Sequence, residues 1–223
     1  MKRKIKSTIN KLFGKSLLKI IEADNTYSCA GVELAIPIGV FHPKYFTSSK
    51  LLMSVVEEAE ISNKHILELG CGSGIASFLA SKKGAIVTAS DISELAISNL
   101  KSNQVKNGVT FSAVVSDLFD SISANTFDYI LINPPFYPKN ASSEKEHAWY
   151  CGEDFNYFKK LFLQLNERNI TSGVFMTLSD DCEFETIKAI ATAENYRFRE
   201  IKAEKNVSET NYLYEISATD DRA

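Results

Sequence analysis

Asn133-Pro134-Pro135-Phe136, directly after the apolar run "FDYILI" and followed by Tyr137, is the stretch best suited to chemistry. Two prolines alone would simply stop a strand, which gives no reason for the asparagine or the phenylalanine. The Asn133 side-chain oxygen and the Pro134 carbonyl are two acceptors that can hold both N–H groups of a planar NH2. In a carboxamide or a nucleobase amine the nitrogen lone pair is delocalised, and such a grip would turn it toward an incoming electrophile. The prolines preorganise the acceptors. Phe136 offers a flat face for stacking, with Tyr137 beside it on the substrate side. Transfer of an already activated methyl group to that nitrogen needs positioning and electrostatics more than a strong base.

A second group lies earlier, in "ELGCGSG". Gly70, Gly72 and Gly74, with Cys71 and Ser73 between them, let the backbone turn tightly and approach a ligand closely. Asp91, followed by Ile92, ends the next apolar run 21 positions after Gly70. A carboxylate there can accept from two ribose hydroxyls. These features suit any adenosine ligand, a dinucleotide included. Two details favour S-adenosylmethionine over NAD. The spacing is G-x-G-x-G, and Glu68 sits two residues before the first glycine. A cofactor with an amino-acid tail and no pyrophosphate has less use for a helix N-terminus. It has more use for an acid beside its ammonium and sulfonium. In "SDLF", Asp117 could accept from the adenine amino group and Leu118 could cover the ring. Cys71 reads as a small loop residue or as an oxidation-sensitive one.

The elements that must position these residues follow from patterning. "HILELG", "AIVTASD", "VTFSAVVS", "FDYILIN" and "SGVFMTLS" read as strands. "SGIASFLASKKG", "ISELAISNLKSNQVKNG", "EDFNYFKKLFLQLNER" and "CEFETIKAIATAEN" read as the helices between them. Near-continuous apolar strands alternating with helices predict a parallel sheet covered on both faces. "RFREIKAEK" and "NYLYEISA", joined by "NVSET", predict an antiparallel hairpin at the end. The expectation is a doubly wound, Rossmann-like α/β fold with a mostly parallel seven-stranded sheet. Upstream, "SSKLLMSVVEEAEIS" predicts a serine-capped helix, and residues 22 to 47 look irregular or extended. Residues 1 to 21 carry apolar positions at helical spacing with lysines between them. The division is a basic helical extension over 1–38 and a catalytic domain over 39–219.

The bulk numbers set limits. A chain of 223 residues, 44% apolar and 24% charged, fits one globular domain with a substantial core. The first 20 residues carry +7, so the rest carries −10 against a net of −3. An RNA would have to be met by local basic patches. The basic segment is a solvated helix face or an RNA-contacting or ribosome-contacting arm. Cys29, Cys71, Cys151 and Cys182 are scattered and His42, His65 and His147 complete no zinc spacing, so no metal is expected. No apolar run approaches the ~18 residues of a membrane span, and the N-terminus lacks a signal-peptide pattern. A cytoplasmic monomer is expected.

On these motifs the chain resembles class I S-adenosylmethionine-dependent methyltransferases of the N-P-P-[YF] type, within them the "methyltransferase small" group and especially the HemK-like glutamine methyltransferases. The resemblance runs from about Gly39 to Ser217. It implies Gly70 to Gly74 for the cofactor tail, Asp91 for ribose, Asp117 and Leu118 for adenine, and Asn133 to Phe136 for the target nitrogen. "GVFHPKYFT" is similar to the family's segment before the first helix, which would put Phe41, Pro43 and Thr47 at the border of the cofactor pocket. "HAWYCGEDFNYFKKLF" is similar to the stretch after the N-P-P motif. The motif ends in Phe136 where HemK-like enzymes carry Tyr, a variant shared with enzymes that modify adenine or guanine in RNA. The implied substrate is macromolecular: a glutamine in a translation-related protein, or an amino group of ribosomal or transfer RNA. The alternatives are a small-molecule methyltransferase or a non-catalytic nucleotide-binding module.

Overall fold

The computed structural model describes residues 25–123, 126–171 and 173–219. The basic helix expected over residues 1 to 21 lies outside the described residues. The main sheet comprises β3 (His65–Leu69), β4 (Ile86–Asp91), β5 (Ser112–Val115), β6 (Tyr129–Ile132), β7 (Val174–Ser179), β8 (Tyr196–Lys205) and β9 (Thr210–Ala218). Its order is β5-β4-β3-β6-β7-β9-β8. β3 to β7 run parallel, and β9 pairs antiparallel with both β7 and β8. This is the expected mostly parallel seven-stranded sheet with its closing hairpin. Strand order reverses between β3 and β6, where crossovers depart to opposite sides and a crevice opens at the carboxyl ends of the strands.

Side-chain alternation along the strands feeds two cores. On β3, Ile66 joins a cluster with α1 (Thr47–Glu58), α2 (Ile75–Lys82) and α3 (Glu94–Asn107). Leu67 and Leu69 point the other way, into a cluster with α4 (Asn156–Glu167) and α5 (Phe184–Ala193). Local chemistry bounds the helices. Ser93 accepts from the Ala96 N–H at the start of α3, and Gly108 closes it in the left-handed conformation, φ 63°.

Two local expectations give way. The serine cap of α1 is absent: the helix begins at Thr47 with no side-chain cap, and Ser48 and Ser49 are buried in its first turn. A 3-10 turn over Pro43–Tyr45 delivers an extended Phe46 just before the helix, so the start falls upstream of the serines. Within the stretch read as irregular or extended, β1 (Thr26–Cys29) and β2 (Val32–Ala35) form an antiparallel hairpin. Its two turn residues, Ala30 and Gly31, both have positive φ, the twist that matches paired strands. Val32 and Leu34 are wholly buried in the α1–α3 cluster. The free edge of β2 is met by side chains. Asn103 bonds both the N–H and the carbonyl of Ala35 at 2.9 Å, and Asn107 does the same for Glu33 at 2.9 and 2.7 Å. Two asparagines one helical turn apart thus stand in for a third strand.

Candidate active site

The glycine loop follows β3 and lies between the ends of β4 and β6. The Gly70 and Cys71 N–H groups donate to the Ser90 carbonyl at 2.9 and 2.8 Å, folding the loop over the end of β4. Gly74 (φ 73°) starts α2 packed on α3, where an added Cβ would run into the Leu100 side chain. Gly70 (φ 72°) differs, since a Cβ there would meet nothing within 4 Å. Its bare backbone therefore faces open space, available for close approach by a ligand. Cys71 and Ser73 are buried, and burial pushes the Cys71 thiol well up. Asp91 accepts from the Gly72 N–H at 2.8 Å through one oxygen and from the Ser93 N–H at 2.9 Å through the other. It thereby ties the loop to the strand end.

Glu68 is buried beneath the loop, and one of its oxygens accepts both the backbone N–H and the hydroxyl of Ser77. Burial lifts its carboxyl to about 7, working against the lowering by the two Ser77 bonds, with the Asp91 charge adding to the rise. A cation brought to this acid would favour its charged form.

Beyond Asp91 a cleft of about 500 Å³ is lined by Ile92, Glu94, Leu95 and His147. That volume is typical of small-molecule sites. Ile92, 45% exposed, offers an apolar face there. Leu118, expected to cover a ring, is instead packed in the α4–α5 core, with its backbone left-handed at φ 53° and its carbonyl held by the Ser116 hydroxyl. Asp117, expected to accept from an amino group, already takes Lys160 Nζ on one oxygen at 2.6 Å, and Lys160 also reaches Asp120 at 2.7 Å. Sequence reasoning missed Tyr157, one helical turn before Lys160 on α4. Burial and the nearby Asp91 and Asp117 charges push its hydroxyl pKa up. Nothing in the sequence of this aromatic-rich amphipathic helix sets Tyr157 apart from its neighbours.

The Asn133–Phe136 turn leaves β6 on the same sheet edge. Asn133 Oδ1 accepts from the Thr177 hydroxyl at 2.8 Å. Pro134 is buried, Pro135 and Phe136 are half-buried, and the Phe136 ring lies 4.7 Å from that of Tyr137. The Tyr137 hydroxyl, expected on the substrate side, donates to Asp181 at 3.1 Å. Tyr137 then pairs with Tyr150, and the intervening loop folds over the other half of the site. Its 3-10 turn Glu144–Ala148 carries His147 to the cleft. Trp149 packs on Phe41 and Phe46 with ring centroids 5.7 and 5.4 Å away, and those two stack at 4.4 Å. Phe41 in turn backs onto Gly72. Thr47 sits at the start of α1, its hydroxyl accepting from Asn206 in the β8–β9 turn at 3.1 Å. An aromatic triad therefore joins the glycine loop to the segment after the N-P-P turn. Among the described residues no group of acidic, histidine or cysteine side chains could hold a metal ion. No described helix is long and apolar enough to cross a membrane.

The profile of one protein family, the methyltransferase small domain, matches residues 32–149. The chain belongs to this family. The chain is 37% identical over 109 residues to a Methanocaldococcus jannaschii protein named as a protein N5-glutamine methyltransferase. It is 34% identical over 106 residues to a ribosomal RNA small subunit methyltransferase C of Haemophilus ducreyi. These alignments cover 48% and 47% of this chain, and 53% and 32% of the relatives. The chain thus spans about half or less of the curated relatives it matches. In fold, this methyltransferase small domain is similar to a chain from the E. cuniculi Mtq2–Trm112 complex that methylates the eRF1 translation termination factor. That match has a TM-score of 0.63 at 18% identity and covers 81% of this chain and 99% of that one. It is also similar to the T. thermophilus 16S rRNA N2 G1207 methyltransferase in complex with AdoMet and guanosine. There the TM-score is 0.60 at 18% identity, over 85% of this chain and 49% of that one.

Proposed function

We propose that this methyltransferase small domain is an S-adenosylmethionine-dependent N-methyltransferase acting on a planar nitrogen. The carrying observation is the placement of the Asn133–Phe136 turn beside the Gly70 loop and Asp91, on one edge of the sheet at its switch point. The residues present fit the cofactor. Gly70 leaves open backbone, Asp91 offers two oxygens, buried Glu68 suits a cation, and the cleft at Ile92 has the volume for a purine. The cofactor supplies a methyl group already activated on a sulfonium. Asp91 would hold the ribose, Glu68 and the Gly70–Gly74 loop the amino-acid tail, and Ile92 and Asp117 the base, with Phe41 and Thr47 at the pocket border. Asn133 Oδ1 and the Pro134 carbonyl would accept the two N–H groups of the substrate. Pro135 stiffens the turn and Phe136, backed by Tyr137, presents a stacking face.

The acceptor in this reading is a protein glutamine or an adenine or guanine amino group in ribosomal or transfer RNA. Relatives named for both classes support it. Both acceptors share a planar NH2, so the turn serves either. The cytoplasm holds both classes, and the enzyme works there as a monomer. The test is tritiated methyl transfer from S-adenosylmethionine into a lysate of cells lacking the protein, followed by RNase or protease. Label released by RNase assigns an RNA acceptor, and label released by protease assigns a protein acceptor. Asn133→Ala should abolish transfer while keeping S-adenosylhomocysteine binding. Undiminished transfer by that variant would overturn the mechanism.

A further inference from the structure

The parallel register of β6 and β7 sets Ile132 opposite Met176, so the next pair along is Asn133 and Thr177. Thr177 is wholly buried, whereas Asn133 is half-buried at the mouth of the crevice. The Thr177 hydroxyl donates to Asn133 Oδ1 at 2.8 Å and makes no other hydrogen bond among the described residues. Four residues further along the same run, Asp181 receives the Tyr137 hydroxyl. Both ends of the Asn133–Tyr137 turn are therefore tied to one segment of chain.

A side-chain amide is ambivalent. Rotated half a turn about its last bond, it presents NH2 where its oxygen stood. Facing a substrate NH2, that orientation sets donor against donor. It would also leave the Thr177 hydroxyl hydrogen buried without an acceptor, a penalised arrangement. With Oδ1 toward Thr177, one lone pair of that oxygen takes the hydroxyl and the other remains for a substrate N–H. We propose that Thr177 is a positioning residue that sets the polarity of the Asn133 grip, holding its amide with the oxygen as acceptor. This rests on the methyltransferase reading above.

The test compares Thr177→Val, which removes the hydroxyl at nearly constant shape, with Thr177→Ser, which keeps it. Thr177→Ala repeats the deletion should valine disturb the fold. Three quantities are measured: the initial rate of tritium transfer into the lysate at saturating S-adenosylmethionine, calorimetric affinity for S-adenosylhomocysteine, and the Asn133 side-chain amide resonances, identified by their loss in Asn133→Ala. The expected result is a transfer rate about 10- to 100-fold lower without the hydroxyl, the scale of a misplaced reacting group. S-adenosylhomocysteine affinity should stay within about twofold, serine should restore most of the rate, and the Asn133 amide signals should shift and broaden only where the hydroxyl is gone. A wild-type rate in Thr177→Val overturns the proposal. So does an equal loss in Thr177→Ser, or a parallel loss of S-adenosylhomocysteine affinity, since either marks a merely structural role. If the wild-type protein transfers no methyl group, the methyltransferase reading falls by itself. The amide signals then decide: unchanged in Thr177→Val, they overturn the positioning role; shifted, they sustain it.

Discussion

Ser77 donates both its backbone N–H and its hydroxyl to one carboxylate oxygen of Glu68, at 2.8 and 2.5 Å. Even so, burial lifts the Glu68 carboxyl from 4.5 to about 7. The folded protein holds this proton across a window in which the unfolded chain has already lost it. The stability from neutral Glu68 is therefore full below pH 4.5 and lost as pH rises through about 7. The loss is on the order of 3 kcal/mol. Glu68→Gln should flatten that slope, so the gap between its Tm and the wild-type value should change between pH 4.5 and about 7 and level off above that. Parallel curves would contradict a buried titrating acid. A bound cation reverses the balance, and wild-type affinity for S-adenosylhomocysteine should rise over the same window while the glutamine variant stays flat.

Gly70 and Gly74 share a positive φ, 72° and 73°, but not surroundings. Gly74→Ala would drive a methyl group into Leu100, so it should cost stability, about 2–3 kcal/mol with strain and overpacking together. Gly70→Ala meets open space and should cost only about 1 kcal/mol of backbone strain. Its methyl would instead occupy the space proposed for the cofactor tail. Thermal melts and calorimetry with S-adenosylhomocysteine should separate the two, Gly74→Ala losing Tm and Gly70→Ala losing affinity. The reverse assignment would remove the cofactor tail from this loop.

Asp91 bonds backbone N–H groups in the glycine loop and in the turn that follows its own strand. Asp91→Ala deletes two charge-assisted bonds, each worth about 1.5–3 kcal/mol. It should lower Tm and weaken S-adenosylhomocysteine binding by about 100-fold or more. Asp91→Asn keeps an acceptor oxygen and should fall between. A variant that loses stability alone would confine Asp91 to holding the loop.

Trp149 is the only tryptophan of the chain and lies against Phe41 and Phe46. Phe41 rests on Gly72, so ligand entering the loop should perturb the indole. Tryptophan emission should therefore shift on titration with S-adenosylhomocysteine, saturating at the calorimetric Kd. An emission spectrum indifferent to ligand would place the triad outside the binding site.

The sequence by itself determined the order and type of the elements. Strand and helix periodicity, glycine after helices and the change to alternating strands near residue 196 are local signals, and they suffice for a mostly parallel sheet with a closing hairpin. It also exposed the residues whose chemistry is unusual for their setting, among them Asp91 at a strand end and Asn133 before two prolines. Only the tertiary structure decided what those side chains touch. Thr177 meets Asn133 across 44 positions, through a strand register that neither residue encodes. Lys160 claims one oxygen of Asp117 from a helix 43 positions on, and Leu118 turns into the core through a left-handed backbone. Asn103 and Asn107 look like ordinary polar helix residues until the β2 edge lies against them. Periodicity reports which face of an element is buried. Which neighbour it is buried against depends on how the layers stack, and that is settled by the packing of the whole chain.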